Sequence, residues 1–128
     1  WDDEGFRKAV AATGKKKIVI AALWTEVSLA FPTIEMLQEG YQIYMVLDAC
    51  GGTSEMAHDY TVQRLVQAGA VPMTWIQFLL EMQRDWAHKE SYDAVTHLVR
   101  EHGGAYGQGS EYAATRLHGM EPNLLQTV

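Results

Sequence analysis

Cysteine is almost missing from this 128-residue chain: Cys50 stands alone, so no internal disulfide can form, which points to a reducing compartment. No apolar run approaches the length needed to span a bilayer. The opening residues include Asp2, Asp3 and Glu4, where a signal peptide would carry positive charge. These absences lead us to expect a cytoplasmic protein with no membrane partner. Positive charge is also scarce. Ten Lys and Arg face sixteen Asp and Glu, for a formal charge of -6. Neutralising phosphates needs clustered cations, so no nucleic-acid partner is expected. The one basic run, Lys15-Lys16-Lys17, follows Gly14 and reads as a solvated turn. The chain opens on Trp1 with no initiator Met, from which we expect either processing upstream or a longer polypeptide.

What is present is ordinary for a globular domain. Apolar residues make up 48% and charged residues 20%, and a domain of this length buries about two thirds of its unfolded surface. The pattern is organised around Lys17 to Pro32. The β-branched run Ile18-Val19-Ile20, continued by Ala21-Ala22-Leu23, suits a strand buried on both faces of a parallel sheet. Polar residues follow in Trp24-Thr25-Glu26-Val27-Ser28, and helical spacing begins at Leu29. Ligands and reactive groups of open α/β sheets collect at such strand-to-helix junctions. Ser28 is therefore either the N-cap of the next helix or a reactive hydroxyl.

Before this stretch, Asp2-Asp3-Glu4 opens a short helix with Phe6, Ala9, Val10 and Thr13 on one face, closed by Gly14. After it, a helix with Leu29, Ala30, Ile34, Met36 and Leu37 tolerates Pro32 near its first turn and stops at Gly40. A second strand, Tyr41 to Leu47, ends at Asp48. A small-residue loop leads to Ser54, which can cap a helix through Ala68 with Met56, Ala57, Leu65 and Val66 inward. Ala70-Val71-Pro72-Met73 is short, and its proline makes it an edge-strand or strand-end candidate. Thr74 and Gln77 have the spacing of a capping box, and the helix they start ends in Gln83-Arg84-Asp85-Trp86. Helices and strands alternate with short connections, which predicts right-handed βαβ units and a parallel sheet with helices on both faces. Beyond Trp86 the pattern adds no strand. An amphipathic helix over Lys89 to Glu101 precedes the glycine-rich residues 103–109 and a last short helix around Glu111 to Leu117. Three strands are few for such a sheet.

Signatures of chemistry are sparse. There is no phosphate-binding loop, and the glycines after Gly103 follow no strand. His58, His88, His97, His102 and His118 are too scattered for a ligand cluster, with His97 and His102 reading as solvent-facing, so neither metal nor cofactor is expected. Cys50, at a strand's carboxyl end, reads as a small buried filler, with a nucleophile as the other option. Ser28 lies outside any G-x-S-x-G elbow. Asp48 could approach it from the neighbouring strand, and no His is placed to complete a triad.

The residues themselves resemble a known family. Trp1-Asp2, Trp24-Thr25-Glu26-Val27, Phe31-Pro32, Asp48-Ala49, Gly51-Gly52-Thr53, Val66-Gln67-Ala68-Gly69, Thr74-Trp75 and Arg84-Asp85-Trp86 are similar to the carboxyl-terminal half of the isochorismatase-like cysteine hydrolases, in the YcaC-like branch. Tyr92 to Val95 and Gly104 to Gly107 resemble the tail of some members. The resemblance implies a three-layer α/β/α, Rossmann-like fold with a six-stranded parallel sheet, of which this chain supplies about three strands plus a helical tail. Residues 1–87 would form the later half of the domain, and residues 88–128 a helical, glycine-rich extension.

For the site, the resemblance implies a Cys nucleophile at the position of Ser28, with an Asp base and a Lys from segments preceding Trp1. It also implies backbone N–H groups of Trp24 and Ser28 as oxyanion donors, with a cis peptide before Trp24. Cys50 occupies a position that is commonly Ser. A hydroxyl is a far weaker nucleophile than a thiolate. We therefore expect a portion of a hydrolase that cleaves carbon–nitrogen bonds of small amides, impaired here and inactive as this chain alone. The alternative is a non-catalytic assembly or binding subunit, and a third option is a serine hydrolase whose Asp and Lys come from elsewhere. The expected partners are a small-molecule substrate, if active, and further copies in a homo-oligomer.

Overall fold

A computed structural model of the chain describes residues 1–117 and Gly119, so His118 lies outside the described residues. The chain divides into two compact units, Trp1–Phe78 and a second from Leu79 onward.

The first unit opens with α1 (Glu4–Ala12), whose N-cap Asp3 accepts the Phe6 N–H at 2.6 Å. Gly14 ends it with φ of 65°, a left-handed conformation that glycine adopts without penalty. β1 (Lys17–Ile20) pairs in parallel with β2 (Gln42–Val46), and β2 pairs in parallel with β3 (Val71–Met73). The sheet order is β1-β2-β3. The expected α/β architecture with a parallel sheet is borne out, and so is the edge position of the proline-bearing strand.

Between β1 and β2 the chain forms a widened, π-type helical turn (Thr25–Leu29) and α2 (Ala30–Gln38); α3 (Glu55–Gln67) joins β2 to β3. Leu29, Ala30 and Met36 on the α2 side, Ile43 and Met45 on β2, and Leu65 on α3 form one buried cluster. Both crossover helices thus cover the same sheet face. Each buried Leu, Ile or Met side chain of this cluster contributes about 1.5–3 kcal/mol through removal of apolar surface from water. The opposite face carries the register row Val19, Tyr44 and Val71. Val19 there is 43% exposed, so β1 is not buried on both faces as its apolar run predicted. A continuous apolar run reports only that both faces can be buried, not that this chain covers both. α1 is anchored by Glu39, which accepts from the Trp1 indole N–H and the Arg7 guanidinium, each at 2.8 Å.

Ser54 caps α3 by accepting the Ala57 N–H, as predicted, and Leu65 is fully buried. Met56 and Val66 correct the predicted inward set, because Met56 is 69% exposed and Val66 is also exposed. On this helix only the Leu65 stripe faces the sheet.

The second unit contains the end of α4 (Trp75–Gln83), then α5 (Lys89–His102) and α6 (Gly104–Tyr112), followed by a widened turn (Ala113–Leu117). Gln83 is buried yet fully engaged. Its amide nitrogen donates to the carbonyls of Asp85 and His88, and its amide oxygen accepts from the Ser91 hydroxyl. Val95 and Val99 are buried on α5, while Leu98 is partly exposed. The glycine-rich residues 103–109, expected as a stretch ahead of a last short helix around Glu111 to Leu117, are largely helical, within α6. A Cβ on Gly107 would stand 2.5 Å from the Val99 carbonyl oxygen and 2.7 Å from that of Arg100. The glycine lets α6 approach the α5 backbone, and this packing overrides its poor helix propensity.

Candidate functional site at the carboxyl edge of the sheet

β1 ends at Ile20, and the chain then runs through an isolated parallel bridge between Leu23 and Gly51. The Leu23–Trp24 peptide is cis, as the resemblance implied. Trp24 is extended, and its carbonyl oxygen accepts from the N–H groups of Val27 at 3.2 Å, Ser28 at 2.9 Å and Leu29 at 3.3 Å. One acceptor shared by three donors is what widens the turn.

A proline follows this turn. Pro32 has no N–H, so the regular bond to the Ser28 carbonyl four residues earlier is impossible. Pro32 lies in the first turn of α2, as its spacing predicts, but the helical path begins five residues before α2, at Thr25. Ser28 is therefore not an N-cap, which corrects that expectation. It sits inside the widened turn with its side chain exposed at the sheet's carboxyl edge. Its N–H, an expected oxyanion donor, is instead given to the Trp24 carbonyl.

The turn is bound to the loop after β2. The fully buried Thr25 donates its N–H to the Gly51 carbonyl at 2.9 Å, and its hydroxyl shares a hydrogen bond with His58 Nδ1 at 2.9 Å. Glu26 Oε1 accepts the Thr53 N–H at 2.9 Å. The Thr53 hydroxyl and the N–H groups of Glu26 and Thr53 stabilise the carboxylate and hold its pKa below the ordinary value; partial burial opposes this and the His58 charge adds to it. Gly52 lets the two segments close. A Cβ there would lie 3.0 Å from His58 Cβ and 3.1 Å from both Glu26 Oε2 and the His58 nitrogen. Beside this contact is an open cavity of about 430 Å³ lined by Cys50, Gly52, Ser54, Glu55, His58 and Asp59.

Of the remaining candidates, Cys50 lines this cavity and the others are placed elsewhere. The Cys50 thiol is partly buried, donates to the Val46 carbonyl at 3.2 Å and accepts the Ala22 N–H at 3.4 Å, as a filler would. Asp48, expected within reach of Ser28, is committed to the start of α4, where it accepts the Trp75 N–H at 2.8 Å. Thr74 adds to that start by accepting from Gln77 at 3.3 Å, as predicted. His97 and His102 are exposed, as expected. The sequence reading passed over His58 and Glu26. The one available signal was that both flank the adjoining loops of neighbouring parallel strands.

Comparison with known proteins decides the relationship. The isochorismatase domain model matches residues 1–77, which is more than half of the chain. The chain belongs to the isochorismatase family. It is 46% identical over 86 residues to a probable hydrolase, YcaC, of Escherichia coli, a match covering 67% of this chain and 41% of that protein. Isochorismatase domain-containing protein 2 of Xenopus laevis is 27% identical over 86 residues, with 67% and 42% covered. Among solved structures, YcaC from Pseudomonas aeruginosa, with hexane-2,5-diol and covalent acrylamide, superposes with a TM-score of 0.79 at 38% identity. That match covers 84% of this chain and 52% of the other. The E. coli YcaC structure, described as an octameric hydrolase of unknown specificity, gives 0.82 at 37% identity, covering 90% and 55%. The chain thus spans about half the length of the relatives it matches.

Proposed function

We propose that this chain is the later portion of an isochorismatase-family hydrolase in which Ser28 occupies the nucleophile position, so that carbon–nitrogen bond cleavage of small amides is impaired. The observation that carries this is the placement of Ser28: exposed, in the first helical turn after β1, at the edge where α/β sheets hold their reactive groups. The positive end of the helix dipole favours an anion there, and a thiolate would benefit from it. A serine hydroxyl ionises far too weakly for the dipole alone to activate it. The Trp24 N–H is the oxyanion donor in this proposal, since the Ser28 N–H is engaged within the turn. Asp48 and Glu26 serve Trp75 and Thr53, so neither is a base for Ser28. The octameric state described for the E. coli relative supports assembly of this chain into a homo-oligomer.

Restoring the thiol tests the proposal. Ser28→Cys is expected to react with acrylamide at neutral pH about fivefold faster than glutathione, an ordinary thiol, because a helix start lowers the thiol pKa. Peptide mass mapping separates the label from Cys50, and the unsubstituted chain serves as the Cys50 control. A rate at position 28 no higher than that of glutathione would overturn the proposal.

A further inference from the structure

Ser28 donates its backbone N–H inside its own turn, so its location depends on what holds that turn. Besides the packing of Leu29 into the core, three hydrogen bonds among the described residues do so from outside it. Thr25 N–H to Gly51 carbonyl joins backbone to backbone, Glu26 Oε1 takes the Thr53 N–H, and the Thr25 hydroxyl meets His58 Nδ1. The first two reach the loop after β2. Only the third reaches a regular element, because His58 lies in the first turn of α3, behind its Ser54 cap. The His58 N–H itself donates to the Ser54 carbonyl at 3.0 Å, so the residue is fixed at its backbone as well as at its ring.

Thr25 is fully buried, and a buried hydroxyl left without a partner carries its desolvation penalty in full. The imidazole therefore does more than fill space: it satisfies the one polar atom by which the Thr25 side chain can be held. Gly52 gives independent support, since His58 and Glu26 both close on the space that a Cβ there would fill.

We infer that His58 is a positioning residue for the nucleophile position: through Thr25 it registers the Trp24–Leu29 turn against α3, and so sets where the side chain of residue 28 is presented. This rests on the proposed role of position 28, but the tether itself is readable without any chemistry.

The test uses the full chain in the Ser28→Cys background, with His58→Ala and His58→Asn added separately. Asn places a hydrogen-bonding atom near the position of imidazole Nδ1, and so serves as the conservative rescue. Amide hydrogen exchange is expected to quicken about tenfold at Val27, Ser28 and Leu29 in His58→Ala, with β1, β2 and β3 unchanged, and to return toward the parent in His58→Asn. Acrylamide labelling of residue 28 is expected to fall to the rate of an ordinary thiol in His58→Ala and to recover in His58→Asn. Unchanged exchange in the turn, or faster exchange spread evenly over the sheet, would overturn the inference. Slow labelling already in the parent Ser28→Cys chain, with exchange behaving as expected, would remove the catalytic role of position 28 and leave the tether standing.

Discussion

Glu26 shows how much a single residue of the turn can report. Its carboxylate is stabilised chiefly by the Thr53 hydroxyl and by the N–H groups of Glu26 and Thr53, all of which favour the charged form. Because its folded pKa is lowered, its contribution to stability is present above the unfolded carboxylate pKa and is lost as pH falls through the folded one. Glu26→Gln is therefore expected to lower the urea midpoint at neutral pH. Its curve should converge with that of the parent chain once the pH is below the folded pKa of Glu26. Urea titrations of the two chains across the acidic range check this, and parallel curves with a constant offset would assign the effect to packing. The spacing of the sequence left Ser28 open between cap and reactive group. The structure removes the first option because the helical path starts at Thr25, and no local pattern announces the widened turn.

At the scale of elements, α5 was legible from its amphipathic spacing, and the glycine-rich segment that forms α6 was the least legible part of the chain. A run with Gly103, Gly104, Gly107 and Gly109 looks like a connector by propensity, since each glycine costs about 1 kcal/mol in a helix relative to alanine. The structure distinguishes the glycines by what surrounds them. At Gly107 a methyl would collide with the Val99 and Arg100 carbonyls, whereas nothing lies within 4 Å of the corresponding position at Gly109. Gly107→Ala is expected to destabilise the chain by about 1–3 kcal/mol through overpacking. Gly109→Ala is expected to stabilise it by roughly 0.5–1 kcal/mol through reduced backbone entropy. Opposite shifts in thermal denaturation followed at 222 nm, a wavelength set by helix content, decide between this and a flexible connector, in which both changes would be nearly silent. Two other legible elements carry a side-chain cap at their start: α1 between Asp3 and Gly14, and α3 after Ser54.

At the scale of the whole molecule, the first unit is held by one cluster shared among α2, β2 and α3. Leu65 is its α3 member and is fully buried. Leu65→Ala is expected to cost about 2–5 kcal/mol, the range for a buried leucine whose cavity collapses only partly. Denaturant unfolding measures it, and a loss below about 1 kcal/mol would mean that α3 is not fastened through this contact. The face bearing Val19, Tyr44 and Val71 lies opposite this cluster, and the chain spans about half the length of its relatives. Activity, substrate and assembly are accordingly properties to be tested on the whole protein.

The sequence by itself determined the alternation of strands and helices, the parallel pairing it implies, the capped starts of α1 and α3 and the family, because these follow from periodicity, capping chemistry and short motifs local to the chain. Only the tertiary structure decided which sheet face this chain covers, that the glycine-rich segment is helical, and that Ser28 stands in a widened turn tied to α3 by Thr25 and His58. Each of these depends on atoms far apart in sequence. Thr25 and His58 are separated by 33 positions, and no period links them. Their hydrogen bond exists because two parallel strands bring their carboxyl ends side by side.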